Sequence, residues 1–171
     1  MGKRYESDLL SPAHQEGKTH MFNLAQMLPL ERVKILSARN QQEAIGEMVD
    51  LLGNAPEVKD KEKLRQAILE RERTMSTGIG LGIAIPHARI ASVSEFVIAF
   101  GKCPHGIDYD SLDAKPVYFI FLIAGPEHAQ QQYLQILAKI TLKMKNEQIR
   151  QRIMKTNDPE QIHDILMERL E

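Results

Sequence analysis

His87 closes a run that reads Thr77-Gly78-Ile79-Gly80-Leu81-Gly82-Ile83-Ala84-Ile85-Pro86-His87, and its residue types suit chemistry on an anion. A neutral imidazole near pH 7 offers one ring nitrogen with a lone pair, which makes it a competent phosphoryl acceptor. The three glycines permit tight turns and let main-chain N–H groups come close to a bound group. Ile83-Ala84-Ile85 is a short apolar run that fits a buried strand, and Pro86 stops it. His87 is therefore expected where a strand ends, beside a glycine-rich loop. Arg71 stands sixteen residues upstream, and its guanidinium can fork onto phosphate oxygens in a bidentate way that Lys does not match. Nucleophile, anion-binding amides and cation are the three parts needed to accept and hold a phosphoryl group.

Each part also has a plainer reading. A single His at a strand end is more often structural than nucleophilic. Arg71 lies in the charged run Glu70-Arg71-Glu72-Arg73, which reads as a solvated helix face. Leu64, Ile68 and Arg71 fall on one side of that helix, however, so Arg71 ends an apolar stripe while Arg73 points away. The glycines do not form a dinucleotide fingerprint, because Ile83 stands where a third glycine should fall. They do not form a phosphate-binding P-loop either, since no Gly-Lys-Ser/Thr follows. Turn-making accounts for Gly78, and Gly80 and Gly82 are candidates to support a phosphoryl group. Thr77 either hydrogen-bonds near the site or caps the preceding helix.

The remaining histidines, His14, His20, His105, His128 and His163, show no metal-ligand spacing, and Cys103 is the single cysteine. A zinc site is unsupported, and no metal or other cofactor is called for. One cysteine also rules out an intrachain disulfide, so a reducing cytoplasm is the default compartment. The net charge of −1 gives no electrostatic reason to expect nucleic acid or an anionic membrane surface. No apolar stretch reaches the length of a membrane span, and the polar N-terminal residues lack the apolar core of a signal peptide.

The elements that must position these residues alternate between strand and helix, as expected of an α/β fold. Val33 and Ile35 alternate with polar neighbours in a short strand. Ala44, Ile45, Met48, Leu51 and Leu52 follow at helical spacing, closed by Gly53-Asn54. Further strands are expected into Pro86, over Glu95 to Gly101, and over the apolar run Val117 to Ala124, which reads as buried on both faces. Gly106-Ile107-Asp108 and Asp113-Ala114-Lys115-Pro116 carry turn chemistry. Pro126-Glu127 opens a helix with Tyr133, Leu137, Ile140 and Met144 along one side. Asp158-Pro159-Glu160 starts another, with Ile162, Ile165, Leu166 and Leu170 facing the core. The expectation is a single domain with a central mixed sheet of four or five strands flanked by helices. It spans residues 21–171, and residues 1–20 form a flexible N-terminal arm.

Arg71-Glu72, Ser76-Thr77-Gly78, Gly82 through His87, and Asp113 to Val117 ahead of an apolar strand together resemble one family. It is the enzyme IIA domain of the fructose/mannitol/nitrogen (type 2) class of the bacterial phosphoenolpyruvate-dependent phosphotransferase system. The resemblance runs from about Met21 to the C-terminus. It implies that His87 is the phosphorylated residue and that Arg71, at the family's offset, stabilises the transferring group. Ala88 stands where the family commonly has Gly. Family members in sugar transport tend to carry a second His early in the helix after the buried strand, and Tyr133 occupies that position here. Tyr133 can still donate a hydrogen bond to a phosphoryl oxygen or to the His87 ring.

The implied function is that of a phosphocarrier, a phosphotransferase working with no metal. It would take its phosphoryl group from the histidine-containing phosphocarrier protein and pass it to a IIB protein. Ile79, Leu81 and Ile83 are candidates for an apolar docking rim, or else for core. The alternative is a regulatory protein-binding module of the nitrogen type, acting on a transporter or kinase with weak or no onward transfer. A hydrolase using His87 as base is the weakest reading, because no Ser or Cys nucleophile with a carboxylate orienter is evident.

Overall fold

A computed structural model describes residues 23–170; the arm expected over residues 1–20 lies outside them. The described chain runs α1 (Leu24–Met27), a 3-10 turn (Leu30–Arg32), β1 (Val33–Ile35), α2 (Gln41–Leu52), α3 (Lys61–Thr74), β2 (Gly78–Gly80), β3 (Ile83–Ala84), β4 (His87–Arg89), β5 (Val97–Ile107), β6 (Val117–Gly125), α4 (Gln130–Lys145), α5 (Glu147–Met154) and α6 (Pro159–Met167). Side-chain caps explain several of the helix starts. Asn40, Asp60, Asn146 and Asp158 each accept a first-turn N–H of the helix that follows.

The sheet is mixed and has six strands, in the order β1-β5-β6-β3-β2, with β4 also pairing β6. At its centre β5 and β6 run antiparallel, with Val97 opposite Ala124 and Ile107 opposite Val117. β1 adds parallel to β5, while β3 and β4 add parallel to β6. The two strands not named from the sequence are β2 and β4, each three residues long and too short to show a period. β5 also continues past Gly101 through Pro104 and Gly106, accommodated by a register shift between Lys102 and Ile107.

Pro86 interrupts the strand without ending it. Proline has no N–H for the ladder, but its carbonyl still accepts, and Ile123 N–H donates to Pro86 O at 3.0 Å. The chain therefore stays beside β6, and His87 opens β4 instead of closing β3.

Alternation along the strands splits the buried residues into two cores, one on each face of the sheet. Ile120, Leu122, Ala124, Ala84 and Ala88 face α2 and α3. Phe119, Phe121, Ile123, Ile83 and Ile85 face α4, α5 and α6. In α4 the buried residues are Tyr133, Ile136, Ile140 and Met144, with Leu137 only half-buried, and the helix begins at Gln130 instead of Pro126. Leu170 is 40 % exposed, outside the core face expected for it. The helix α5 was not foreseen, because its eight residues follow α4 with only Asn146 between them.

Candidate functional site

Among the described residues β4 pairs only with β6, which puts His87 at an edge of the sheet. Ala88 faces the α2/α3 core, so the neighbouring side chains His87 and Arg89 emerge on the α4 face. The half-buried imidazole is held by its own strand: Nδ1 lies 3.0 Å from the carbonyl oxygen of Ile85. A carbonyl can only accept, so Nδ1 carries the proton and Nε2 keeps the lone pair. Burial lowers the His87 pKa below its ordinary value, and the charges of Arg71 and Arg89 act in the same direction. The Ile85 carbonyl and Glu72 oppose the shift without cancelling it. The result is a neutral imidazole with a defined nucleophilic nitrogen.

Arg71 comes from the last turn of α3, on the opposite layer, and its Nη1 donates to Met75 O at 2.9 Å. The adjacent Glu72 faces inward, where its carboxylate accepts from Thr77 N at 3.0 Å and from Thr77 Oγ1 at 2.6 Å. The buried Thr77 is thus tied to the end of α3, and its carbonyl receives Ile85 N–H at 3.0 Å. This chain of bonds from Glu72 to Thr77 to Ile85 fixes the carbonyl that orients the His87 ring.

Tyr133, from the first turns of α4, packs its ring on that of His87 with centroids 4.7 Å apart and a 30° tilt. Burial raises its pKa, with Arg71 and Arg89 opposing, so the phenol keeps its proton at neutral pH. The N-cap of α4, Ala129, offers no side-chain acceptor, and the first-turn N–H groups have no side-chain cap.

Gly80 and Gly82 belong to a different part of the molecule. Ile83 pairs with Phe119 and His87 with Ile123, a separation of roughly 13 Å at the strand rise. Gly80, Leu81 and Gly82 form the β2–β3 turn, with φ of 94°, 57° and 75°. Leu81 N–H donates to Asp113 Oδ2 at 3.3 Å, and a Cβ at Gly82 would press on the Tyr118 ring at 3.2 Å. Ile79 and Leu81 are exposed at 38 % and 50 %, whereas Ile83 is core at 1 %. The structure therefore gathers His87, Arg71 and Tyr133, attaches Thr77 through Glu72, and leaves the two glycines in the turn. His128 is exposed, with Glu127 at 3.8 Å. Among the described residues no group of three His, Cys, Asp or Glu side chains is placed to hold a metal ion.

Arg89 was missed in the sequence. Its signal was its position two residues beyond His87, which shares a face only if the strand persists past Pro86.

Comparison with known proteins agrees with this architecture. Residues 26–169 match the family model described as Phosphoenolpyruvate-dependent sugar phosphotransferase system, EIIA 2. The chain is 33% identical over 150 residues to the PTS system fructose-specific EIIA component of Haloferax volcanii, covering 87% of this chain and 97% of that one. It is 37% identical over 146 residues to the fructose-specific EIIABC component of Bacillus subtilis, covering 85% of this chain but 23% of that longer protein. The fold superposes on the nitrogen regulatory protein IIA-Ntr of Neisseria meningitidis with a TM-score of 0.77 and 29% identity, covering 83% of this chain and 97% of that one. A fructose-specific component and a nitrogen regulatory protein thus both resemble this chain, which belongs to the EIIA type 2 family of phosphotransferase-system phosphocarriers.

Proposed function

We propose that this chain accepts a phosphoryl group on Nε2 of His87 from the histidine-containing phosphocarrier protein and passes it to a IIB partner. The observation that carries this reading is the Nδ1 contact to Ile85 O, which leaves Nε2 unprotonated on a half-exposed ring. In the transfer the Nε2 lone pair forms the new P–N bond. The P–N bond to the donor ring breaks, and its electron pair returns to the donor nitrogen. Arg71 steadies the three non-bridging oxygens through a loose transition state, and Tyr133 supplies a neutral hydrogen-bond donor. Thr77 acts indirectly, by fixing the backbone around Ile85, and Gly80 and Gly82 shape the turn that carries Leu81.

A cleft of about 790 Å³, lined by Leu24, Ile140, Leu166 and Met167 among others, lies further along α4. His87 stands instead at an accessible sheet edge, as a site that exchanges a group between proteins requires. This reading treats residues 21–171 as one enzyme IIA domain and places it in the cytoplasm, where such a donor works. No helix among the described residues is long and apolar enough to cross a membrane.

Tyr133 favours a second reading. A ring that cannot take up a proton near neutral pH suits a phosphorylation-controlled switch on a transporter or kinase, in which added charge changes the partner bound.

Intact-mass measurement after incubation with phosphoenolpyruvate, enzyme I and the phosphocarrier tests the acceptor step. An acid-labile gain of one phosphoryl group, absent in His87→Ala, is expected. No gain in the wild-type chain with a cognate carrier would refute it and leave a phosphorylation-independent binding module.

A further inference from the structure

We propose that Arg89 is a second phosphoryl-binding cation of this site, held beside His87 by the ring of Tyr133. The assignment rests on the phosphocarrier reading above and deepens it. β4 places His87 opposite Ile123 and Arg89 opposite Gly125, so the two side chains leave the strand on the same face, one pleat apart. Both meet the same aromatic ring. Tyr133 has the His87 centroid at 4.7 Å and the Arg89 Cζ at 5.7 Å from its own centroid.

The charge of Arg89 is otherwise poorly answered. Among the described residues its one hydrogen bond is a long contact from Nη1 to Glu127 O at 3.4 Å. Among the described residues no carboxylate forms an ion pair with it, whereas Arg65 has Asp50 and Glu62, and Arg152 has Glu168. A guanidinium without a counter-charge gains from whatever negative potential lies near it. In the unmodified protein that potential is the face of the Tyr133 ring.

Arg71 is in a similar condition on the other side, donating to a backbone carbonyl with no ion pair among the described residues. Two guanidinium groups without an ion pair among the described residues, one from α3 and one from β4, therefore both act electrostatically on His87 and Tyr133. Such a field is unbalanced around a neutral imidazole and suited to one that carries a phosphoryl group with nearly two negative charges. It also answers what Tyr133 cannot do: where a protonated imidazole at that position would bring positive charge, Arg89 brings it from the neighbouring position on β4.

The test uses inorganic phosphate as a probe that needs no partner protein. His87 imidazole resonances are followed by NMR while phosphate is added to the wild type, Arg89→Gln, Arg89→Lys and Tyr133→Ala. Phosphate is expected to bind at least fivefold more weakly to Arg89→Gln and Tyr133→Ala, with partial recovery in Arg89→Lys. The His87 titration midpoint is expected to rise in Arg89→Gln. Equal phosphate responses in the wild type and Arg89→Gln, including none in either, would overturn the assignment. Failure of the carrier to phosphorylate the wild type is a separate result that sinks the phosphocarrier reading alone, because the phosphate titration does not use the carrier. Arg89→Lys keeps the test open if Arg89→Gln folds poorly.

Discussion

The Ile85 carbonyl decides which nitrogen of His87 keeps its lone pair, and the field around the ring decides when that lone pair is free of a proton. The lowered His87 pKa keeps Nε2 unprotonated through the neutral range. Phosphoryl acceptance is therefore expected to be flat with pH above the ordinary histidine range and to fall only under more acidic conditions. A stopped-flow pH profile with a midpoint at or above 6.5 would contradict this. The same shift has a stability consequence of fixed sign. The unfolded chain takes up the proton at its ordinary pKa, before the folded one does, so stability drops as pH falls through and below about 6.5. Urea midpoints at pH 7.5 and 5.5 should diverge more for the wild type than for His87→Gln. Arg71→Gln should slow acceptance on the order of a hundredfold, by analogy with the loss of one transition-state donor, with circular dichroism unchanged. An unaltered rate would remove Arg71 from the chemistry.

Among the elements, the β2–β3 turn holds a non-glycine residue where the backbone disfavours one. Leu81 has φ 57° and is half exposed, and an L side chain in that region costs on the order of 1 kcal/mol. Asn tolerates it, so Leu81→Asn should raise stability by up to about 1 kcal/mol in urea melts; a loss would show that Leu81 packs more than its exposure indicates. The elements also show what could be read from the chain beforehand. The β6 run, the α2 periodicity and the Asp158-Pro159 start of α6 are local signals, and each produced its element. Arg71 was legible because Leu64 and Ile68 set the phase of its helix. β2 and β4 were not, since three residues carry no period and their pairing is decided by β3 and β6. Arg89 was hidden by the same fact: a proline reads as a stop, although its carbonyl can continue a ladder. α5 was hidden because Asn146 both ends one helix and caps the next.

At the scale of the whole molecule, Lys102 ties the sheet to its helical layer. It is 1 % exposed in β5, and its Nζ donates to Met154 O, Thr156 O and Asn157 Oδ1 at 3.0, 2.7 and 2.9 Å. These acceptors lie at and just beyond the C-terminus of α5, where helix carbonyls lack partners. Lys102→Met should cost on the order of 2 kcal/mol, the range for hydrogen bonds to a charged group, and loosen α5 in hydrogen exchange. A melt unchanged within error would assign the lysine no net stabilising role. The location of His87 has its own consequence for assembly. Arg71 arrives with the core beneath α2 and α3, Tyr133 with the core beneath α4, and His87 lies on the strand between them. A chain that has consolidated only one of those cores holds half a site. On the phosphocarrier reading, competence to receive a phosphoryl group is therefore also a certificate of completed folding, issued only when both faces of the sheet are closed.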